Sequence, residues 1–233
     1  MWCPQMSYFL LFSLYSANLV AGNMKEAGIH ENEDKTHVIQ FHSNPDAYLG
    51  WRTYDDDSIW FTLNCMKLSA EKYCGFGLTK PGLSAGKTKN MFNSDIYTAH
   101  GDTVDDRFGD SITNKPRKDS KTSIVCDHCG LHDDGEIHAT FYRNLTTGDE
   151  QDVAITNQTY RIIWAIGPLK DGDIDYHTLR PQKDYQYRYA NFLEPDLTVV
   201  PEFKDNIKSE AARTVQTVLV AALAGALLTL ALL

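Results

Sequence analysis

The sequence is short of basic charge, of methionine and of helical patterning. Its 22 Lys and Arg face 31 Asp and Glu, for a formal net charge of −9. A nucleic-acid binder normally carries a basic face, so that class is excluded. No apolar stripe of helical spacing runs beyond three turns before residue 214, which argues against a helical domain. There is no G-x-S-x-G and no Walker or dinucleotide-binding glycine pattern, so the nucleophile-elbow hydrolases and the common nucleotide folds are excluded too. The acidic runs Asp55–Asp57, Asp105-Asp106 and Asp133-Asp134 lack the ordered spacing of a calcium loop and read as solvated turn carboxylates. What remains is a globular balance, with 42% hydrophobic and 23% charged residues.

The two ends carry no charge. Residues 1–22 have an apolar core from Tyr8 to Tyr15 followed by small residues, with Val20 and Gly22 at the −3 and −1 positions of a signal-peptidase site. This is read as a secretory signal without the usual basic start. From Thr214 to Leu233 the chain is again uncharged and nothing hydrophilic follows. Small residues, a short polar spacer and an apolar tail match a GPI-anchor signal, with Ser209 as the attachment point and 210–233 as the removed segment. A single-pass anchor is the alternative. Either reading tethers the folded part to a membrane through its C-terminal tail, facing outside.

The chain has five cysteines, and Cys3 leaves with the signal. Cys65, Cys74, Cys126 and Cys129 remain, an even set suited to two disulfides in an oxidising compartment. Cys65 with Cys74 is attractive because the two flank one strand-to-strand connection, which leaves Cys126 with Cys129; the crossed pairings stay open. The segment Cys126-Asp-His-Cys129-Gly-Leu-His132 also has ligands that suit zinc, but the compartment favours oxidised thiols. Two sequons, at Asn144 and Asn157, fit glycosylation on exposed turns of a secreted protein.

Between the ends, short apolar alternations recur at strand spacing. They predict strands over 37–41, 48–54, 58–65, 73–78, 95–100, 122–125, 136–144 and 161–166. Turn residues at 133–135, 147–148 and 171–173 separate several of them. The fold class expected is all-β, a single-domain β-sandwich. Residues 23–45 read as a polar lead-in, 46–180 as the sandwich and 181–209 as a C-terminal wrap or stalk.

Only three methionines follow the signal, and one of them, Met91, precedes the strand-like Ser94–His100. His177 follows the strand Arg161–Ile166 after one short turn. A thioether and an imidazole together suit a six-coordinate haem iron.

Several segments resemble, in order, the DOMON domain, a family that includes the amino-terminal domain of dopamine β-monooxygenase and b-type cytochrome domains. They are Tyr48-Leu-Gly-Trp51, Ser58-Ile-Trp-Phe-Thr-Leu63, Gly75-Phe-Gly77 and Met91-Phe-Asn-Ser-Asp95, then Phe141-Tyr-Arg143-Asn-Leu145-Thr-Thr147-Gly-Asp149-Glu-Gln-Asp152, Ile163-Trp-Ala-Ile-Gly167 and Tyr176-His177. Ser94 stands where the family has Ala, and Thr178-Leu-Arg-Pro181 lacks the Arg-Gly often found after the histidine. The resemblance implies a β-sandwich. In haem-binding members a Met and a His are the axial ligands of haem b, and these correspond to Met91 and His177. Apolar cover is then expected from some of Trp51, Trp60, Phe76, Phe92, Ile163 and Trp164. With both axial positions filled by protein, the expected role is one-electron transfer with an extracellular donor, such as ascorbate, or acceptor. No catalytic residue is assigned. The competing expectation is a haem-free module that binds a sugar, a phenolic ligand or a protein partner at the cell surface.

Overall fold

The computed structural model describes residues 27–200 except 28, 33–34, 44–45, 56, 80–90, 111–114 and 183–185. The predicted secretory signal 1–22, Ser209 and the tail 210–233 lie outside the described residues. Among the described residues no helix is long and apolar enough to cross a membrane.

Thirteen strands form the fold among the described residues: β1 (Ile29–Glu31), β2 (His37–Ser43), β3 (Asp46–Tyr54), β4 (Ser58–Cys65), β5 (Lys72–Thr79), β6 (Ser94–His100), β7 (Thr103–Phe108), β8 (Arg117–Lys118), β9 (Ile124–Leu131), β10 (Ile137–Asn144), β11 (Thr159–Lys170), β12 (Asp173–Ile174) and β13 (Arg188–Asn191). The first sheet has the order β1-β2-β3-β4-β10-β9. The second has the order β12-β11-β5-β6-β7-β8, and β13 also pairs with β11. Every named pairing is antiparallel. The expected β-sandwich is therefore the observed fold. Strands β1, β2 and β13 extend the sheets beyond residues 46–180.

Alternation explains the packing. In β4, Ile59, Phe61, Leu63 and Cys65 are buried while Trp60 and Thr62 are half-buried on the other face. The same parity in β10 buries Ile137, Ala139, Phe141 and Arg143. Trp51, Phe61 and Phe141 are brought side by side by the register of β3, β4 and β10. Across the interface Phe61 meets Phe76 at 5.3 Å and Tyr97 meets Phe141 at 5.2 Å between ring centroids. Such aromatic contacts add to the burial of large apolar area that drives the sheets together.

One charged pair crosses this apolar layer. The Arg143 guanidinium bonds the Asp95 carboxylate, the Tyr97 hydroxyl at 2.6 Å and the Val153 carbonyl at 3.1 Å. Asp95 also accepts from the Tyr97 hydroxyl at 2.8 Å and from the Val153 N–H at 3.2 Å. Arg143 and Asp95 both have side-chain exposure of 0%, so the motif residues of β6 and β10 form a buried clasp between the sheets. Burial, opposed by Arg143, still lifts the Asp95 pKa to about 6.

Two disulfides close the framework, Cys65–Cys74 and Cys126–Cys129. The first joins one sheet to the other, from the end of β4 to β5. The second lies within β9, beside a bulge opposite Thr140 and Phe141. Asp106 departs from the solvated-turn reading: it lies in β7 and is 5% exposed.

Candidate functional site

The outer face of the second sheet is shallow at its centre because small residues sit there. Thr98, Gly75 and Ala165 form one row across β6, β5 and β11, and Ile96, Gly77 and Ile163 form the next. A Cβ at Gly75 would lie 2.9 Å from the Thr98 methyl, and one at Gly77 would lie 2.8 Å from the Ile96 side chain. Above this floor is a cavity of about 420 Å³. Its walls include Tyr73, Met91, Ile163, Trp164 and His177, with Lys115 and Arg180 among the polar groups. The volume falls within the range of small-molecule sites.

Met91 and His177 are each placed by a close backbone approach that a glycine permits. Met91 opens a turn in which the Ser94 N–H donates to the Met91 carbonyl at 3.1 Å, with Asn93 in the left-handed region at φ 56°. Gly109, just after β7, packs against this turn: a Cβ there would lie 1.7 Å from the Met91 carbonyl oxygen. No side chain fits that gap. His177 lies in the return that follows β12. The N–H groups of Thr178 and Leu179 both donate to the Ile166 carbonyl at 2.9 Å, which fixes the return against β11. At Gly167 a Cβ would lie 2.8 Å from the His177 Cα and 2.7 Å from the Tyr73 ring.

The two departures from the family pattern have local partners. The Ser94 hydroxyl is buried and lies 3.3 Å from the Thr79 hydroxyl. Thr178 donates its hydroxyl to the Ile166 carbonyl at 3.2 Å.

Burial holds the His177 imidazole below its ordinary pKa, and the nearby Arg180 acts in the same direction. Its Nδ1 is buried and has no hydrogen-bond partner among the described residues. The neutral imidazole is the form that can ligate a metal. Tyr73, whose hydroxyl donates to the Asp175 carbonyl at 3.2 Å, has its pKa pushed up by burial.

The residues singled out in the sequence are thus divided. Met91, His177 and Trp164 line one cavity. Trp164 is shared with the core, where it stacks on Phe41 at 6.3 Å. Trp51 is 1% exposed inside the sandwich, packed against Phe192 at 5.3 Å. Trp60 lies on the opposite outer face, stacked on Tyr142 at 5.0 Å. Phe92 is half-buried in the Met91 turn and is not among the cavity-lining residues. Strand parity decides the two tryptophans of the first sheet, since Trp51 points inward and Trp60 outward from neighbouring strands. Tyr73, Ile96 and Thr98 of the lining carry no motif and were missed; their common parity with Gly75 and Gly77 was the available clue. The sequon residues Asn144 and Asn157 are both exposed.

The family model of the DOMON domain matches residues 43–167. No curated protein matches the chain.

Proposed function

The chain belongs to the DOMON domain family, and from that premise we propose that it is an extracellular, membrane-tethered b-type haem domain serving one-electron transfer. The observation that carries the reading is that Met91 and His177, far apart in sequence, line the same cavity. The residues present suit the group. The glycine floor is a cradle that side chains would fill, the His177 Nδ1 is a buried atom without a partner, and a thioether faces the same space as an imidazole. Met91 and His177 would hold the iron, Arg180 would donate to a carboxylate of the ring, and Lys115, ion-paired with Asp173 at 2.6 Å, would add positive charge beside it. Held by Met91 and His177, haem would supply a one-electron couple of raised potential.

The chain's own residues do the rest. Tyr73, Ile96 and Ile163 exclude water from the floor, and the Gly109 and Gly167 contacts fix both ligand backbones, which keeps reorganisation small. The two disulfides fit an oxidising compartment, in agreement with a secretory signal at 1–22 and a GPI anchor at Ser209. Ascorbate, a small reductant, is the donor proposed. Glycans at Asn144 and Asn157 would complete the cell-surface form.

The test uses the full chain purified in detergent. It should show a reducible low-spin haem spectrum, and ascorbate should reduce it. Met91→Ala should retain haem with changed ligation, and His177→Ala should lose most of it. Colourless protein that takes up no added haem would refute the proposal. The same cavity supports a second reading, because its Lys115, Arg180 and Tyr176 could bind a sugar or phenolic ligand without haem. Binding of such a ligand by colourless protein, lost in Tyr176→Ala, would favour it.

A further inference from the structure

The opposite face of the sandwich holds a second cluster of ligand-type side chains. His128 and His132 are exposed and His138 is half-buried. Their ring centroids lie 6.1 Å apart for His128–His132, 5.6 Å for His128–His138 and 6.4 Å for His132–His138. An ion about 2.1 Å from each imidazole nitrogen would hold the three centroids roughly 5 Å apart. As they stand the three rings are about 1 Å too far apart for this, and the His138 Nε2 lies 3.3 Å from the Thr140 hydroxyl, so the side chains would have to turn about their bonds to meet on one ion.

The backbone explains the convergence. Within β10, His138 and Thr140 share the outward parity, and Thr140 pairs with His128 of β9. His138 itself pairs with Gly130, and a Cβ at Gly130 would meet nothing within 4 Å. The position between His128 and His132 is thus vacant in front of His138. His132 begins the hairpin turn, where its N–H donates to the Glu136 carbonyl at 2.7 Å. The Cys126–Cys129 disulfide brackets His128 and fixes the bulged strand. A rigid frame of this kind reduces the ordering needed to bind an ion.

Electrostatics favour a cation here. Asp133 and Asp134 are exposed in the same hairpin turn, and Glu136 acts on His138. Three imidazoles with an open fourth position suit zinc or copper and are a poor match for calcium or magnesium, which take oxygen ligands.

We propose that His128, His132 and His138 form a binding site for one divalent ion of the zinc–copper class, on the sandwich face opposite the cavity of Met91 and His177. The fourth ligand would be water. The cysteines take no part, because they are paired with each other.

The experiment titrates Zn2+, and separately Cu2+, into the full chain in detergent with both disulfides intact and no reductant, by calorimetry. One equivalent should bind saturably. His128→Asn and His132→Asn are exposed substitutions that keep the fold, and each should weaken binding at least tenfold; the double variant should abolish it. His177→Ala should leave the binding within twofold, which separates this site from the cavity. Co2+ should give tetrahedral visible bands that vanish in His138→Asn. Absence of saturable binding overturns the proposal. So does binding that survives both exposed variants, or binding that is lost only in His177→Ala.

Discussion

The two outer faces of the sandwich make opposite choices at their centres. On the second sheet, Gly75, Gly77 and Ala165 lie where side chains would otherwise stand, and a cavity of about 420 Å³ results. On the first sheet the row through Trp60 is filled, while the next row, Gly50, Thr62 and Thr140, is small and is covered at Gly50 by Thr36. Trp60 is paired directly with Arg52 on one side and Tyr142 on the other, with the Arg52 guanidinium 5.7 Å from the Trp60 ring and Tyr142 stacked at 5.0 Å. Both sheets are antiparallel and both bury one face in the same core. The fold therefore supplies two platforms, and the second becomes concave where small residues form the floor and the segments of Met91 and His177 form the walls. At the edge of this face lie the three histidines His128, His132 and His138.

Both faces depend on the clasp between them, so its loss should have the largest effect. Arg143→Met keeps the length of the side chain but leaves Asp95 buried without its cation. A broken buried pair costs about 3–5 kcal/mol. Urea unfolding at pH 8 should show that loss. A change below about 1 kcal/mol would mean that the apolar layer alone holds the sheets.

The next effect should fall on one face only. Gly167→Val would drive side-chain atoms toward the His177 Cα and the Tyr73 ring, where even a Cβ has only 2.8 and 2.7 Å. Overpacking of this kind costs about 1–3 kcal/mol. Haem retention should fall at least tenfold. Zinc binding at His128 and His132 should stay within twofold. If both bindings fail together, the faces are coupled and the contrast between them does not hold.

The contrast was only partly legible in the sequence. The central strands of the first sheet, β3, β4 and β10, were, because residues such as Ile59, Phe61 and Leu63 alternate cleanly with outward ones. Strand β7 was not. Its sequence TVDDRF looks like a turn, yet Arg107 is 1% exposed and finds Asp105 at 2.6 Å, Asp173 and the Thr98 hydroxyl at 3.0 Å. Charges that neutralise one another inside a sheet erase the hydrophobic period on which such readings rest. Strand β9 runs to Leu131, beyond the 122–125 expected, because the polar run Cys126-Asp-His-Cys-Gly130 lacks apolar alternation and carries a bulge. Met91 and His177 stood out by residue type and motif. The aromatic cover was harder to place, since only the paired register shows that Trp51 faces inward and Trp60 outward.

A smaller effect should appear as pH dependence. Asp106 is buried between the sheets, where its carboxylate accepts the Ser123 N–H at 2.8 Å. Burial first, then the nearby carboxylates of Asp95 and Asp152, raise its pKa from 3.8 to about 7. The fold thus holds this proton more tightly than the unfolded chain does. That contribution is complete at acid pH and is lost as pH rises from about 4 toward about 7. The urea midpoint, measured in chelator, should fall across this interval. Asp106→Asn removes the titration and should flatten the slope. A midpoint that instead rises with pH across the interval would contradict the assignment.

The smallest effect should come from the filled face. Trp60→Ala removes a stacked cross-strand pair and a cation–π contact, both half-exposed, and should cost about 0.5–1 kcal/mol. The substitution opens space on the first sheet, on the face away from Met91 and His177. Haem retention and the reduced spectrum should therefore match those of the parent chain. If Trp60→Ala instead released haem, an outward residue of β4 would be controlling a cavity on the other side of the core. The separation of the two faces by side-chain size would then have to give way to coupling through the strands themselves.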